Sequence, residues 1–291
     1  MAGSTLPARA LGRLITQHRK RAGMTRYAAA QVVETSQQTM SRIEDGLKAK
    51  VPDLWINAWS DAFGCTDEDR RTLLGLAHEL RTAQRSWWRA YADEIPTGFD
   101  HYLSLEDAAK SLTIWAASLL PGLLQTSDYR RELAWTEDPT WTHDEVERRI
   151  GVATNRQERL QDPEFKMNVL LSESVLRTQV GSAAVMEGQL TRLTELSNLP
   201  NVTIRVVPFN AARPIGPLVG SFTILEFPQL PATKLQEPPV VYVEGYVGDL
   251  YLEREAEVQQ FQDAASQIGR VALKPSETRQ LVVKVAKEHT Q

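Results

Sequence analysis

The sequence predicts an all-helical amino-terminal domain of five short helices over residues 1–85. An α+β domain with a small, largely antiparallel sheet follows over residues 86–291. Three observations carry this. Residues 8–80 place apolar side chains at helical spacing between capping and stopping residues. Further on, segments such as Phe165, Met167, Val169 and Leu171 alternate with period two. Helical patterns lie between those alternating runs, and a length of 291 residues is ample for two cores.

Taken in order, helix 1 runs from Ala8 to Arg21 on Leu11, Leu14 and Ile15, and Gly23 suits its end. Thr25 caps helix 2, whose inward stripe is Ala29, Val32 and Val33. Ser36 caps a third helix, Gln37 to Glu44, stopped at Asp45-Gly46. Asp53 reads as the cap of helix 4, with Ile56, Trp59 and Phe63 on one face before Gly64. Thr66 and Asp69 open helix 5, which buries Leu73, Ala77 and Leu80. Trp87-Trp88, Tyr91, Pro96 and Gly98 then mark a packed junction.

In the second domain a helix starts near Ser104, and an apolar, strand-like run from Leu112 to Leu120 ends at Pro121-Gly122. Thr142 and Glu145 form a capping box opening a charged helix that reaches Leu160. Strands follow at Phe165–Leu171, Val202–Val206, Ser221–Phe227 and Val240–Tyr246, with a helix from Ser182 to Leu196 between the first two. Two helices, Glu253 to Ala272 and Glu277 to Lys287, close the chain, split at Pro275.

The net charge of −4 hides an asymmetry. Residues 1–50 carry nine Lys/Arg against three acids, a net of +6, whereas residues 86–291 carry twenty against twenty-eight, a net of −8. A basic head on an acidic body suits a chain that meets a polyanion at one end. One cysteine, Cys65, excludes an intrachain disulfide and a CxxC metal knuckle. The five histidines lack HxxxH or HxH spacing, and no P-loop, GxGxxG or GxSxG is present, so neither metal nor cofactor is expected. Without an apolar signal core or a membrane-length apolar run, a cytoplasmic, nucleoid-associated protein is expected.

Helix 3 carries the functional signal. Met40 and Ile43 point one way, to lock the helix in place, while Gln37, Gln38, Ser41 and Arg42 occupy the other face. Gln pairs bidentately with adenine and Arg with guanine, chemistry wanted at a base edge and not in a core. The stretch from Arg19 to Gly64, with SQQTMSRIEDG at its centre, resembles the Xre family of phage-repressor-like helix-turn-helix domains. That resemblance implies a DNA-contacting set of Arg26, Ser36, Gln37, Gln38, Thr39, Ser41, Arg42, Lys48 and Lys50. Arg26 stands where the family commonly has a phosphate-holding Gln. The resemblance also implies that Arg19 and Glu44 form a structural ion pair.

Four motifs recur in order in the body: Trp88-x-x-Tyr91-x-Asp93-x-Ile95-Pro96, Leu120-Pro121-Gly122-Leu123-Leu124-Gln125-Thr126, Leu199-Pro200-Asn201-Val202-Thr203 and Val241-Tyr242-Val243-Glu244. They resemble the carboxy-terminal domain of WhiJ-like, antitoxin-like actinobacterial regulators, with Trp115 where a Tyr is usual and Gly181-Ser182 replacing a Gly-Gly. The resemblance implies a regulator of double-stranded operator DNA, expected to act as a repressor, and a small partner protein encoded nearby.

Two other readings of the body stand beside that one. It is a small-molecule sensor with a pocket lined by Trp88, Tyr91, Trp115 and Tyr242, or a hydrolase using carboxylates among Glu106, Glu173, Glu226 and Glu244. No enzymatic activity is expected. A homodimer is expected, because one recognition helix reads few base pairs. Val258, Phe261, Ala265, Ile268 and Ala272 offer a seam, or else pack within their own domain.

Overall fold

A computed structural model of the chain describes residues 6–47, 50–82 and 99–289, together with Trp87 and Ile95. They fall into two compact units. The first unit holds α1 (Leu6–Arg21), α2 (Arg26–Val32), α3 (Gln37–Glu44), α4 (Asp53–Phe63), α5 (Asp67–Thr82) and α6 (Phe99–Ala108). To these it adds a distant segment, Phe227–Glu237.

Local chemistry sets the helix ends. Gly23 takes a left-handed φ of +68° after α1, and the Thr25 hydroxyl accepts the Ala28 N–H at 3.1 Å to start α2. Thr66 and Asp69 exchange backbone-to-side-chain bonds at 3.0 and 3.1 Å around the start of α5. Asp53 departs from expectation. Pro52 precedes α4 without a side-chain cap, and Asp53 is its first residue, bonded to Arg81 at 2.6 Å. An acid in the first turn still opposes the helix dipole, which is why the sequence signal looks the same.

The core of this unit buries Leu11, Ile15, Met40, Ile43, Ile56, Trp59, Leu73 and Leu76. Trp59 donates its indole N–H to the Ala29 carbonyl at 2.8 Å, which fastens α4 to α2 without leaving a buried donor unpaired. Gly12 allows α1 to lie on the end of α3. A Cβ there would sit 2.4 Å from the Ile43 carbonyl oxygen.

Phe227–Glu237 folds back on itself, with Leu230 N–H bonded to Leu235 O at 2.9 Å and Gln229 bridged to Gln236. It then holds two helices of the unit. Glu79 of α5 accepts the N–H groups of Ala232 and Thr233 at 2.7 and 2.8 Å, and Glu237 pairs with Arg13 of α1. α6 and this segment belong to the same compact unit as α1 to α5.

The second unit is built on a mixed six-stranded sheet in the order β3-β2-β1-β4-β5-β6. The strands are β1 (Ser111–Ala116), β2 (Lys166–Ser172), β3 (Val202–Val207), β4 (Phe222–Glu226), β5 (Val240–Val243) and β6 (Leu250–Leu252). Three pairings are antiparallel, while β1·β2 and β2·β3 are parallel. Parallel neighbours need crossovers. The first is made by α7 (Ser127–Glu137) and α8 (His143–Gln157), the second by α9 (Glu173–Arg177) and α10 (Ala183–Leu196). After the short α11 (Gly216–Val219), the chain ends with α12 (Glu255–Val271) and α13 (Pro275–His289).

The expected capping box opens α8. Thr142 accepts from Glu145 N–H at 3.3 Å, and the Glu145 carboxylate accepts from Thr142 N–H at 2.7 Å. Pro275 marks the break between α12 and α13 as the first residue of α13, since a ring without an N–H suits a first helical position.

The Val258, Phe261, Ala265, Ile268 and Ala272 stripe is interior to this unit. It joins Trp115, Leu170, Phe222, Ile224 and Val241 in one core on a face of the sheet, and Phe261 meets Phe222 edge-on at 5.0 Å. The reading of the stripe as a dimer seam is therefore corrected. A sheet face of large apolar residues had to be covered, and α12 covers it.

Candidate nucleic-acid interface

α2 and α3 are joined by a tight turn in which Glu34 takes φ +50° and Thr35 N–H returns to the Ala30 carbonyl at 3.0 Å. Ser36 then adopts an extended conformation, and its hydroxyl accepts the Thr39 N–H at 3.1 Å. These local bonds aim the start of α3 outward. Met40 and Ile43 are buried, so the helix cannot roll. Ser36, Gln37, Gln38 and Arg42 are exposed, whereas Thr39 and Ser41 are half-buried. Gln38 and Arg42 are four residues apart and share a face, as do Gln37 and Ser41.

The first turn of α3 carries no acid. Its free N–H groups and positive dipole end are left open to phosphate. Ser41 turns its hydroxyl to Asp45 Oδ2 at 3.2 Å.

Glu44 anchors the other end of α3. Arg19 Nε reaches Glu44 Oε1 at 2.5 Å and Arg19 NH2 reaches Oε2 at 3.1 Å, a fork-to-fork pair in which both side chains are buried. Arg26, expected on a phosphate, also turns inward, with its Nε 2.5 Å from Glu44 Oε2 and its NH2 3.7 Å from Asp45. The hydrogen bond to Glu44 raises the Arg26 pKa above its usual value. Arg26 thus braces the helix-turn-helix, with part of its guanidinium still open to solvent.

Lys50 is exposed, while Lys48 lies outside the described residues. Tyr27, at the start of α2, is 61% exposed.

The second unit separates the residues expected to line a pocket. Trp115 pairs in register with Phe222 and Tyr242 with Thr223, so the two aromatics point to opposite faces of the sheet. Trp115 donates to the Gly216 carbonyl at 3.2 Å within the core that α12 covers. Trp88 and Tyr91 lie outside the described residues.

Part of the sheet has a different cleft of about 470 Å³, lined by Thr113, Asn168 and Thr203 in adjacent register on β1, β2 and β3, with Ser111 and Lys166. Of the four carboxylates considered for acid/base work, Glu173 accepts from Arg177 and Phe209 N–H, and Glu226 accepts from Ser111. Glu106 is buried on α6, and Glu244 stands exposed after β5.

Two of the body motifs make structural contacts, while most of Trp88–Pro96 lies outside the described residues. In PGLLQT, Gln125 bonds back to the Leu120 carbonyl at 2.7 Å, and Thr126 caps α7. The buried Gln189 of α10 accepts from Thr126 N–H and donates to the Leu124 carbonyl. Asn201 donates to the carbonyls of Leu160, Asp162 and Phe165 at 3.0–3.1 Å.

Among the described residues no helix is long and apolar enough to cross a membrane. No curated protein and no solved structure matches the chain. A helix-turn-helix domain matches residues 10–73, the stretch that holds α1 to the middle of α5, and marks a DNA-binding regulator. The family described as a domain of unknown function, DUF5753, matches residues 99–284, more than half of the chain. The chain belongs to the DUF5753 family and carries a helix-turn-helix domain ahead of it.

Proposed function

We propose that this chain is a sequence-specific repressor that reads operator DNA with α3 and acts as a homodimer in the cytoplasm, on the nucleoid. The observation that carries this is the division of α3, with Met40 and Ile43 buried while Gln37, Gln38 and Arg42 face solvent. Gln and Arg offer the bidentate donors and acceptors that distinguish base pairs in the major groove. Ser36, Thr39, Ser41, Lys50 and Lys48 serve as flanking phosphate or base contacts. Arg26 keeps enough exposure to reach a phosphate while it pairs with Glu44.

The body binds a small partner protein, as in WhiJ-like, antitoxin-like regulators. Its net negative charge supports a basic partner surface, and the exposed Tyr246, Val247 and Leu250 leading into β6 supply apolar contact. The test is selection of a duplex from random sequence by the full chain, followed by titration of the partner with and without that duplex. Partner affinity must change with DNA by the same factor as DNA affinity changes with partner. Failure to enrich any sequence removes the repressor reading, and equal partner affinities remove partner control.

A second reading, a small-molecule sensor, is favoured by the Thr113–Asn168–Thr203 cleft. Its lining mixes these polar side chains with Leu112, Met167, Pro163 and Pro200, which suits a ligand with both polar and apolar parts.

A further inference from the structure

Three side chains with metal-binding atoms meet inside the DNA-binding unit. His18 comes from the last turn of α1, Cys65 from the turn between α4 and α5, and Asp69 from the first turn of α5. One ligand atom from each lies within 4.8 Å of the other two. His18 is buried, and its Nε2 faces Asp69 Oδ1 at 3.8 Å, beyond hydrogen-bond length. Asp69 uses its other oxygen to accept the Thr66 N–H, which fixes the carboxylate in place.

Beside the Cys65 thiol, in hydrogen-bonding reach of it, stands the wholly buried hydroxyl of Ser60. A polar staple of His18, Asp69 and Arg21 accounts for part of this group. It assigns no role to the thiol, which the staple leaves facing His18 and Asp69.

We propose that His18, Cys65 and Asp69 form a binding site for a divalent transition metal of the zinc class. Imidazole and thiolate suit a borderline-soft ion, and three protein ligands leave a fourth position for water. A thiolate and a carboxylate together neutralise a 2+ ion. On binding, the Cys65 thiol releases its proton to solvent, the sulfur–metal bond forms, and the Ser60 hydroxyl beside it donates to the thiolate.

Bond lengths of about 2.0–2.3 Å place tetrahedral ligands roughly 3.3–3.8 Å apart, so the three atoms close by about 1 Å. Arg21 must also move. It now donates to His18 Nδ1 at 2.9 Å, and a metal on Nε2 needs the ring proton on Nδ1. The Arg21 side chain is mostly exposed and is free to turn into solvent.

The test is a titration of the chelator-treated full chain with cobalt(II). Cys65 is the only cysteine, so a thiolate-to-cobalt charge-transfer band in the near ultraviolet reports this site alone. The band is expected to saturate at one equivalent, to vanish when zinc is added, and to be absent in Cys65→Ser. His18→Gln and Asp69→Asn are expected to weaken cobalt binding at least tenfold, with metal-free melting curves confirming that each variant folds. No band in the wild-type chain overturns the site. A band that survives both His18→Gln and Asp69→Asn unweakened also overturns it, as an adduct of the thiol alone.

Discussion

Arg13 of α1 donates from Nε and NH2 to one oxygen of Glu237, at 3.3 and 2.7 Å, across 224 positions of sequence. The Glu237 side chain is fully buried, its other oxygen lies 3.8 Å from Arg9 Nε, and Arg9 sits over the Phe227 ring. Residues from beyond β4 therefore complete the unit that carries the recognition helix. Removing Glu237 takes the carboxylate from the partly exposed Arg13 and from beside the buried Arg9.

Glu237→Ala is expected to destabilise this unit by about 1–3 kcal/mol, less than for a wholly buried pair because the Arg13 guanidinium is partly solvated. Amide exchange in α1 and α5 should accelerate, with little change in β1–β3. A fragment of residues 1–85 lacks this segment and should melt below the same helices in the full chain. Equal exchange rates in the variant and the parent would contradict a supporting role.

Gln37→Ala and Gln38→Ala are each expected to lower affinity for the selected operator by about 1–3 kcal/mol. Binding to random duplex should persist, because phosphate contacts dominate it. Fluorescence anisotropy on both duplexes separates the outcomes, and equal losses on the two would reject base readout.

Glu44→Ala strips the shared carboxylate from both Arg19 and Arg26. With Arg19 buried, a loss of about 3–5 kcal/mol is expected in urea melts. Glu44→Gln should recover part of it, since its amide oxygen still accepts a hydrogen bond. A midpoint unchanged in Glu44→Ala would show that the pair contributes nothing.

Glu34→Gly is expected to stabilise the helix-turn-helix by about 1 kcal/mol. A side chain at φ +50° is strained where glycine is not, although glycine's greater unfolded-state freedom offsets part of the gain. The loss of an acid beside α3 should also strengthen binding to random duplex at low salt. A lower melting temperature would mean that the turn tolerates Glu34 without strain.

The Ser36 and Thr142 caps, the Gly23 stop and the inward Met40 and Ile43 were all legible in the sequence. Each depends on groups three or four residues apart, and bonds of that reach are encoded by local spacing. The division of α3 into a locked and an open face follows from the same helical period. The sequence also placed β1 to β5 but missed β6, whose three residues are too few to show a period. Parallel and antiparallel neighbours share one period, so the β1·β2 and β2·β3 pairings could not be read from it.

Only the tertiary structure decided which groups meet across long stretches of chain. It turned Arg26 onto Glu44, set Trp115 and Tyr242 on opposite faces, and drew the α12 stripe onto the sheet. It also brought Glu237 to Arg13, and His18 to Cys65 and Asp69. A buried charge or ligand is settled by whichever complementary group the packed core carries to it. Nothing in the residues beside it in sequence records that choice.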